Sequence, residues 1–240
     1  MRAPGAVVAT LVVLLLAGCT AGPDAPVPSV PVTVSPSPSP SVEVTDPAML
    51  RTTGVPVTSG PVTLTVAAAD LSVTVQDDGS ALVDAPGSLV VAPEGLTLEA
   101  LSDGSAVVRD GSGAFVAGLT PQPWGARLVQ VNPEVVRLTA DGDASIWFTS
   151  TAVQSAVWGE AEGGRSLAVT PSAWARAGSM AAQDGLWAQV VALAPDADSP
   201  GMKAQLECHE LGAPDKDTWN LEPWRPEVGG LEMISARCNP

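Results

Sequence analysis

Between residues 61 and 150 the chain is punctuated by Asp78-Gly79, Pro86-Gly87, Glu94-Gly95, Asp103-Gly104, Asp110-Gly111 and Asp141-Gly142. Glycine enters the left-handed backbone of tight turns without steric cost, and Asp-Gly between alternating runs is a strong hairpin signal. The alternating runs are there, as in Val62-Thr63-Leu64-Thr65-Val66 and Leu71-Ser72-Val73-Thr74-Val75. Turns this closely spaced favour strands of a few residues. The pattern predicts an antiparallel β meander over residues 61–150, forming a sheet, half of a sandwich or a partial barrel. Asp78-Gly79-Ser80-Ala81-Leu82-Val83 is echoed by Asp103-Gly104-Ser105-Ala106-Val107-Val108. Two copies are too few for a repeat architecture, so the echo reads as hairpin chemistry used twice.

After residue 150 the texture changes. Leu167-Ala168-Val169-Thr170 reads as a short strand, and residues 179–193 as a helix. Ser179 is placed to cap it, Met180, Trp187 and Val191 share one face with Val190 beside them, Gly185 weakens it and Pro195 ends it. Alternation over residues 202–208 predicts a strand with Met202, Ala204, Leu206 and Cys208 on one face, leaving His209 on the opposite, exposed side. Ile234, Ala236 and Cys238 share a face of a further predicted strand. Cys208 and Cys238, 30 residues apart, are the candidates for an intramolecular bridge, because Cys19 is claimed by other chemistry. On the chain-entropy account such a closure contributes roughly 3–4 kcal/mol. The loop between them carries Pro214, Pro223 and Pro226, which cannot donate ladder hydrogen bonds, so it is expected to be irregular and anchored by Trp219 and Trp224. The expected class is β-rich α+β: the meander, then a disulfide-stapled α+β module over residues 151–240.

At the other end, Arg2, an apolar run from Ala6 to Leu16 and Leu16-Ala17-Gly18-Cys19 match a bacterial lipoprotein signal. In such signals the cysteine sulfur carries a diacylglycerol and the chain is cut before the cysteine; the run is too short to span a bilayer. Residues 1–18 are thus expected to be removed and Cys19 to be the anchor, two acyl chains being enough for stable attachment. Residues 19–60 are crowded with proline, including Ser35-Pro36-Ser37-Pro38-Ser39-Pro40, and are expected to form a disordered, extended linker. Some 40 residues of polyproline II at about 3.1 Å each reach on the order of 100 Å, enough to lift a folded part off the membrane. The expected location is the outer face of the cytoplasmic membrane, exposed to the cell wall or exterior.

The formal charge is −15, from 11 Lys and Arg against 26 Asp and Glu, and removing residues 1–18 takes one cation and no acid. Nucleic acid is not an expected partner, because backbone phosphates are bound through clusters of Lys and Arg. A cell-wall polymer or an envelope protein is the expected kind of partner.

The run Trp219-Asn220-Leu221-Glu222-Pro223-Trp224-Arg225-Pro226, the terminal Cys238-Asn239-Pro240 and the upstream Cys208 resemble a C-terminal domain of unknown function found in secreted and lipid-anchored proteins of actinobacteria. The resemblance extends back to about Val157-Trp158-Gly159. It implies a compartment and a module, and no activity.

Catalytic motifs are absent from the sequence: there is no Gly-x-Ser-x-Gly, His-Glu-x-x-His or Walker pattern. The single histidine, His209, admits a Ser-His-Asp arrangement, and Glu207, Glu210, Glu222, Glu227 and Glu232 offer paired carboxylates for glycoside hydrolysis. Asp141/Asp143, Asp196/Asp198 and Asp215/Asp217 have the spacing of calcium loops without the Gly and distal Glu that complete them. No metal site and no cofactor are expected. Trp219, Trp224, Arg225 and His209 form the candidate binding surface, since Trp and Arg are over-represented at binding hot spots; against it, both rings fit as a lid over the disulfide, with Arg225 paired to a Glu. The expected function is a non-catalytic envelope binding or interaction protein. The alternatives are a secreted hydrolase of wall material working through His209 or a Glu pair, and a structural accessory subunit.

Overall fold

A computed structural model describes residues 44–240. The signal segment, Cys19 and the linker up to residue 43 lie outside the described residues.

Secondary structure is present before residue 61, where the proline count predicted linker. Asp46 accepts a hydrogen bond from the Met49 amide, Pro47 occupies the first turn, and α1 (Pro47–Thr53) follows. Proline is tolerated in a first helical turn, whose N–H groups have no intrahelical partner. After it, β1 (Val55–Ser59) pairs with β2 (Val62–Ala67) in a hairpin whose turn holds Gly60 at φ 54°. Residues 47–59 therefore form a helix and a strand rather than linker.

Nine further strands complete a two-sheet sandwich: β3 (Ser72–Val75), β4 (Ala81–Asp84), β5 (Leu89–Val91), β6 (Thr97–Ala100), β7 (Ala106–Arg109), β8 (Phe115–Gln122), β9 (Arg127–Asn132), β10 (Val135–Thr139) and β11 (Ser145–Thr149). One sheet runs β1-β2-β5-β10-β9 and the other β3-β4-β11-β8-β7-β6, every pair antiparallel. The Asp-Gly turns at Gly79 and Gly104 close the hairpins β3–β4 and β6–β7, both glycines having positive φ. In the echoed turns the Asp78 and Asp103 carboxylates each accept from the amide and hydroxyl of the serine two residues on. The echo is thus one turn design used twice. Other turns carry the chain from one sheet to the other, which puts Leu64, Val83, Val90, Leu119, Leu138, Ile146 and Phe148 into a shared core.

The C-terminal part is built on a three-stranded antiparallel sheet, β12 (Val153–Ala161), β13 (Gly164–Pro171) and β14 (Trp219–Leu221), in that order. Between β13 and β14 lie α2 (Ala173–Arg176), α3 (Met180–Leu193), a 3-10 turn at Pro195–Ala197 and α4 (Pro200–Gly212); α5 (Gly230–Ser235) follows. α3 packs against β7, β8 and β12. One hydrophobic cluster accordingly runs from Val107 of the sandwich, with Phe115 and Trp147 beside it, to Leu167, Trp174, Leu186, Met202 and Trp219.

Ser179 caps α3 as its sequence predicts, accepting from the Ala182 amide at 3.0 Å. The buried stripe of α3 is Ala181, Ala182, Gly185, Leu186 and Val190, whereas Met180 is exposed; this is a rotation from the predicted face of Met180, Trp187 and Val191. Gly185 belongs to this stripe because a Cβ there would stand 2.6 Å from the Phe115 ring.

Two predicted strands are helices. Residues 202–208 lie in α4, whose buried residues Met202, Gln205, Leu206, Cys208 and His209 follow helical spacing. The apparent alternation arose because Met202 and Leu206, four apart, satisfy either period. Ile234 lies in α5 and is exposed, and Cys238 follows at positive φ.

Candidate functional site

The candidate residues converge on the β14–α4 side of the C-terminal module, in different environments. Trp219 is fully buried in the core and donates from Nε1 to the Ala213 carbonyl at 2.9 Å. It packs with the α2–α3 core rather than over the disulfide. Trp224, by contrast, is 46% exposed. Its ring lies against the backbone of Gly164 in the β12–β13 hairpin, where a Cβ would come within 2.3 Å of Nε1.

Arg225 is what holds this corner together. Its Nε donates to Glu222, one terminal nitrogen donates to Glu162, and the other donates to the main-chain oxygens of Asn239 and Pro240 at 3.2 and 3.1 Å. The side chains of Arg225 and Glu222 are only 8% and 2% exposed. A planar guanidinium with five fixed donors suits this arrangement, which a lysine could not reproduce. The guanidinium carbon also sits 4.6 Å from the Trp224 ring centroid. The Glu222 peptide group is held in turn: the Gln205 side-chain amide donates to its carbonyl at 3.0 Å and accepts from its N–H at 2.9 Å. Gln205 therefore carries the hydrogen bonding of β14 across to α4.

His209 is buried, contrary to the exposure expected of a strand position, because helix α4 turns it inward. Its Nε2 lies 3.0 Å from the Asn220 carbonyl oxygen. A carbonyl only accepts, so Nε2 carries the proton and Nδ1 presents a lone pair. Nδ1 has no hydrogen-bond partner among the described residues. Burial, together with the charges of Lys216 and Arg225, holds the imidazole below its ordinary pKa even though the Asn220 bond opposes this, so it is neutral at pH 7. The ring lines a polar pocket of about 120 Å³ with Lys216, Thr218, Asn220 and Glu222.

The carboxylates expected as catalytic pairs are dispersed or engaged. Glu222 and Glu162 hold Arg225, and Glu207 stands 4.0 Å from Lys203 on α4. Glu210 is buried, and its carboxyl is pushed up to about 7, mainly by desolvation and also by Glu207, against a hydrogen bond from Gln183. Among the described residues no group of three or more His, Cys, Asp or Glu is placed to hold a metal. Cys208 and Cys238 form the expected disulfide, Cα atoms 5.5 Å apart, joining α4 to the segment after α5.

Sequence reasoning missed Arg176. From α2 it donates to the carbonyls of Pro214 and Asp217, both at 2.7 Å, and to that of Lys216, fixing the acidic loop ahead of β14. No sequence pattern signals an arginine that binds main-chain oxygens about 40 residues away.

Residues 153–240 match a family model described as Protein of unknown function (DUF2599), so the C-terminal region carries such a domain. Over 83 residues the chain is 51% identical to the uncharacterised protein Rv0477 of Mycobacterium tuberculosis, a match covering 31% of this chain and 56% of that protein. Over 81 residues it is 41% identical to the uncharacterised protein ML2452 of Mycobacterium leprae, covering 32% of this chain and 60% of that one. The chain thus spans less than two thirds of the length of these relatives. No solved structure matches it.

Proposed function

We propose that this chain is a lipid-anchored cell-envelope protein whose C-terminal module binds a partner rather than catalysing a reaction. The anchoring half of this reading rests on the Leu16-Ala17-Gly18-Cys19 signal and the proline-rich stretch behind it. The binding half rests on one observation: Trp224 is half-exposed, yet its ring is fixed between Gly164 and an arginine held on four sides. A large aromatic surface that loses little freedom on binding suits recognition of a wall polymer or an envelope protein.

Two experiments test the reading. Cys19→Ala is expected to move the protein from the detergent phase to the aqueous phase in partition assays, and unchanged partition removes the anchor. Trp224→Ala is expected to reduce retention on isolated envelope material at least fivefold while Trp224→Phe retains most of it; equal retention of both variants and the parent rules out the Trp224 surface.

Hydrolysis through His209 has one feature in its favour, the unpartnered Nδ1 beside a polar pocket. Among the described residues no carboxylate orients the ring and no hydroxyl bonds to it, and its other nitrogen is held by Asn220. A triad needs both partners.

A further inference from the structure

The disulfide lies in a groove. Cys208, Cys238 and Gly212 line it with Leu211 from α4 and Ile234 from α5, in a cavity of about 630 Å³, within the range of pockets that take small organic ligands. Leu211 and Ile234 are 77% and 67% exposed, so the apolar surface they offer is left to solvent. Gly212 borders the disulfide closely, a Cβ there lying in contact with the Cys238 sulfur at 3.5 Å.

Two cations, Lys216 and Arg237, line the same groove. In a protein this acidic, the remaining Lys and Arg side chains of the described residues have partners. Arg51, Arg109, Arg165, Lys203 and Arg225 pair with carboxylates, Arg127 and Arg176 bind carbonyls, and Arg137 is engaged as well. Among the described residues Lys216 and Arg237 have no hydrogen-bond, ion-pair or ring partner for their side chains. Arg237 is moreover held at φ 54° and Cys238 at φ 69°, a left-handed backbone that non-glycine residues seldom adopt and that places the cation beside the disulfide. Lys216 also lines the separate polar pocket containing Thr218 and Asn220, so it stands at the polar side of the apolar groove.

An apolar trough with two unpaired cations matches one ligand chemistry. We propose that the groove over Cys208–Cys238 binds an anionic amphiphile with a single acyl chain, the chain lying on the disulfide between Leu211 and Ile234 and the acidic head meeting Lys216 and Arg237. This goes beyond the Trp224 surface and does not depend on it.

The test is titration calorimetry of the purified full chain at low ionic strength with dodecanoate, dodecyl maltoside and dodecyltrimethylammonium, each below its micelle concentration. Dodecanoate is expected to bind one to one, at least tenfold tighter than the other two. Lys216→Gln with Arg237→Gln is expected to weaken dodecanoate at least tenfold and leave dodecyl maltoside within twofold. Ile234→Glu is expected to weaken both neutral and anionic chains. All these positions are on the surface, and an unchanged thermal midpoint confirms folding of each variant. Equal affinity for the three head groups, absence of saturable dodecanoate binding, or an unaltered affinity in the double variant overturns the proposal. Binding to anionic phospholipid vesicles without binding to monomeric dodecanoate also overturns it, in favour of a membrane-docking face.

Discussion

Arg225 and Glu222, three residues apart, form an ion pair that is almost wholly withdrawn from solvent. Removing one member of such a pair leaves the other charged and buried, which costs about 3–5 kcal/mol. Arg225→Gln is therefore expected to lower the thermal midpoint by roughly 10 °C, at a few degrees per kcal/mol for a folded part of this size. Adding Glu222→Gln should restore part of the loss, because the orphaned charge is gone. Calorimetric midpoints of the two single variants and the double variant check this; strict additivity would mean the pair contributes no coupling.

A second joint lies between the sandwich and the C-terminal module. Asp103, in the β6–β7 turn, accepts from the Met180 amide at 2.7 Å, and the Ser105 hydroxyl accepts from the Ala181 amide at 3.1 Å, so a hairpin turn helps cap a helix some 75 residues later. Burial pushes the Asp103 carboxyl up, but its hydrogen bonds from Ser105 and Met180 outweigh this and hold it below its ordinary value of 3.8. A depressed carboxyl contributes its stability above the unfolded value and loses it as pH falls through the folded one. Asp103→Ala is expected to cost about 1–2 kcal/mol at pH 7, as lost helix caps do. The parent should also lose more stability than this variant between pH 5 and pH 2, measured by urea unfolding at each pH.

How far these joints were legible from sequence depends on the distance between their parts. Local signals read well: the Asp-Gly turns, the Ser179 cap and the disulfide all rest on neighbours or on cysteine arithmetic. α4 was legible in principle. Ser199 accepts from the Met202 amide and Pro200 stands in the first turn, a start signal that outranks a seven-residue alternation. The exposures of Trp219 and Trp224 were not legible, because the α2–α3 core that buries one and the Gly164 hairpin that covers only part of the other are both remote from them in sequence. The exposure expected of His209 came from the strand period assigned to its segment; the helical period of α4 buries it.

Gly118 of β8 faces Trp174 of α2 so closely that a Cβ would stand 2.3 Å from the indole ring. Trp174 is 1% exposed and has little room to retreat. Gly118→Ala is expected to destabilise by about 1–3 kcal/mol through overpacking, and Trp174→Leu in the same chain should relieve part of it. Urea unfolding checks both, and an unaffected Gly118→Ala variant would show that the indole moves.

The disulfide closes α4 onto α5 around a cluster of only Cys208, Cys238 and Met233, with Ala204 and Val228 beside them. So small a core depends on the bridge. Replacing both cysteines with serine is expected to cost about 3–4 kcal/mol on the chain-entropy account. A reductant should lower the thermal midpoint of the parent and leave that of the double variant unchanged.

Glu210 and His209 are neighbours on α4, both buried and shifted in opposite directions on the pH axis. The Glu210 carboxyl is raised to about 7 from 4.5, so the fold binds its proton more tightly than the unfolded chain does. That contribution is complete below pH 4.5 and is lost as pH rises through 7, a difference of about 3 kcal/mol. The His209 imidazole is lowered, so its contribution is present above pH 6.5 and lost as pH falls below it. Just below pH 6.5 the two therefore oppose each other, and above 6.5 the Glu210 loss acts alone. Glu210→Gln keeps the hydrogen-bonding shape and cannot ionise. The variant is expected to match the parent near pH 4.5 and to exceed its thermal midpoint by several degrees at pH 8, the gap opening across pH 5–7.5. Midpoints that run parallel at every pH would mean that Glu210 keeps its ordinary acidity in the fold, and that α4 admits more water than its packing indicates.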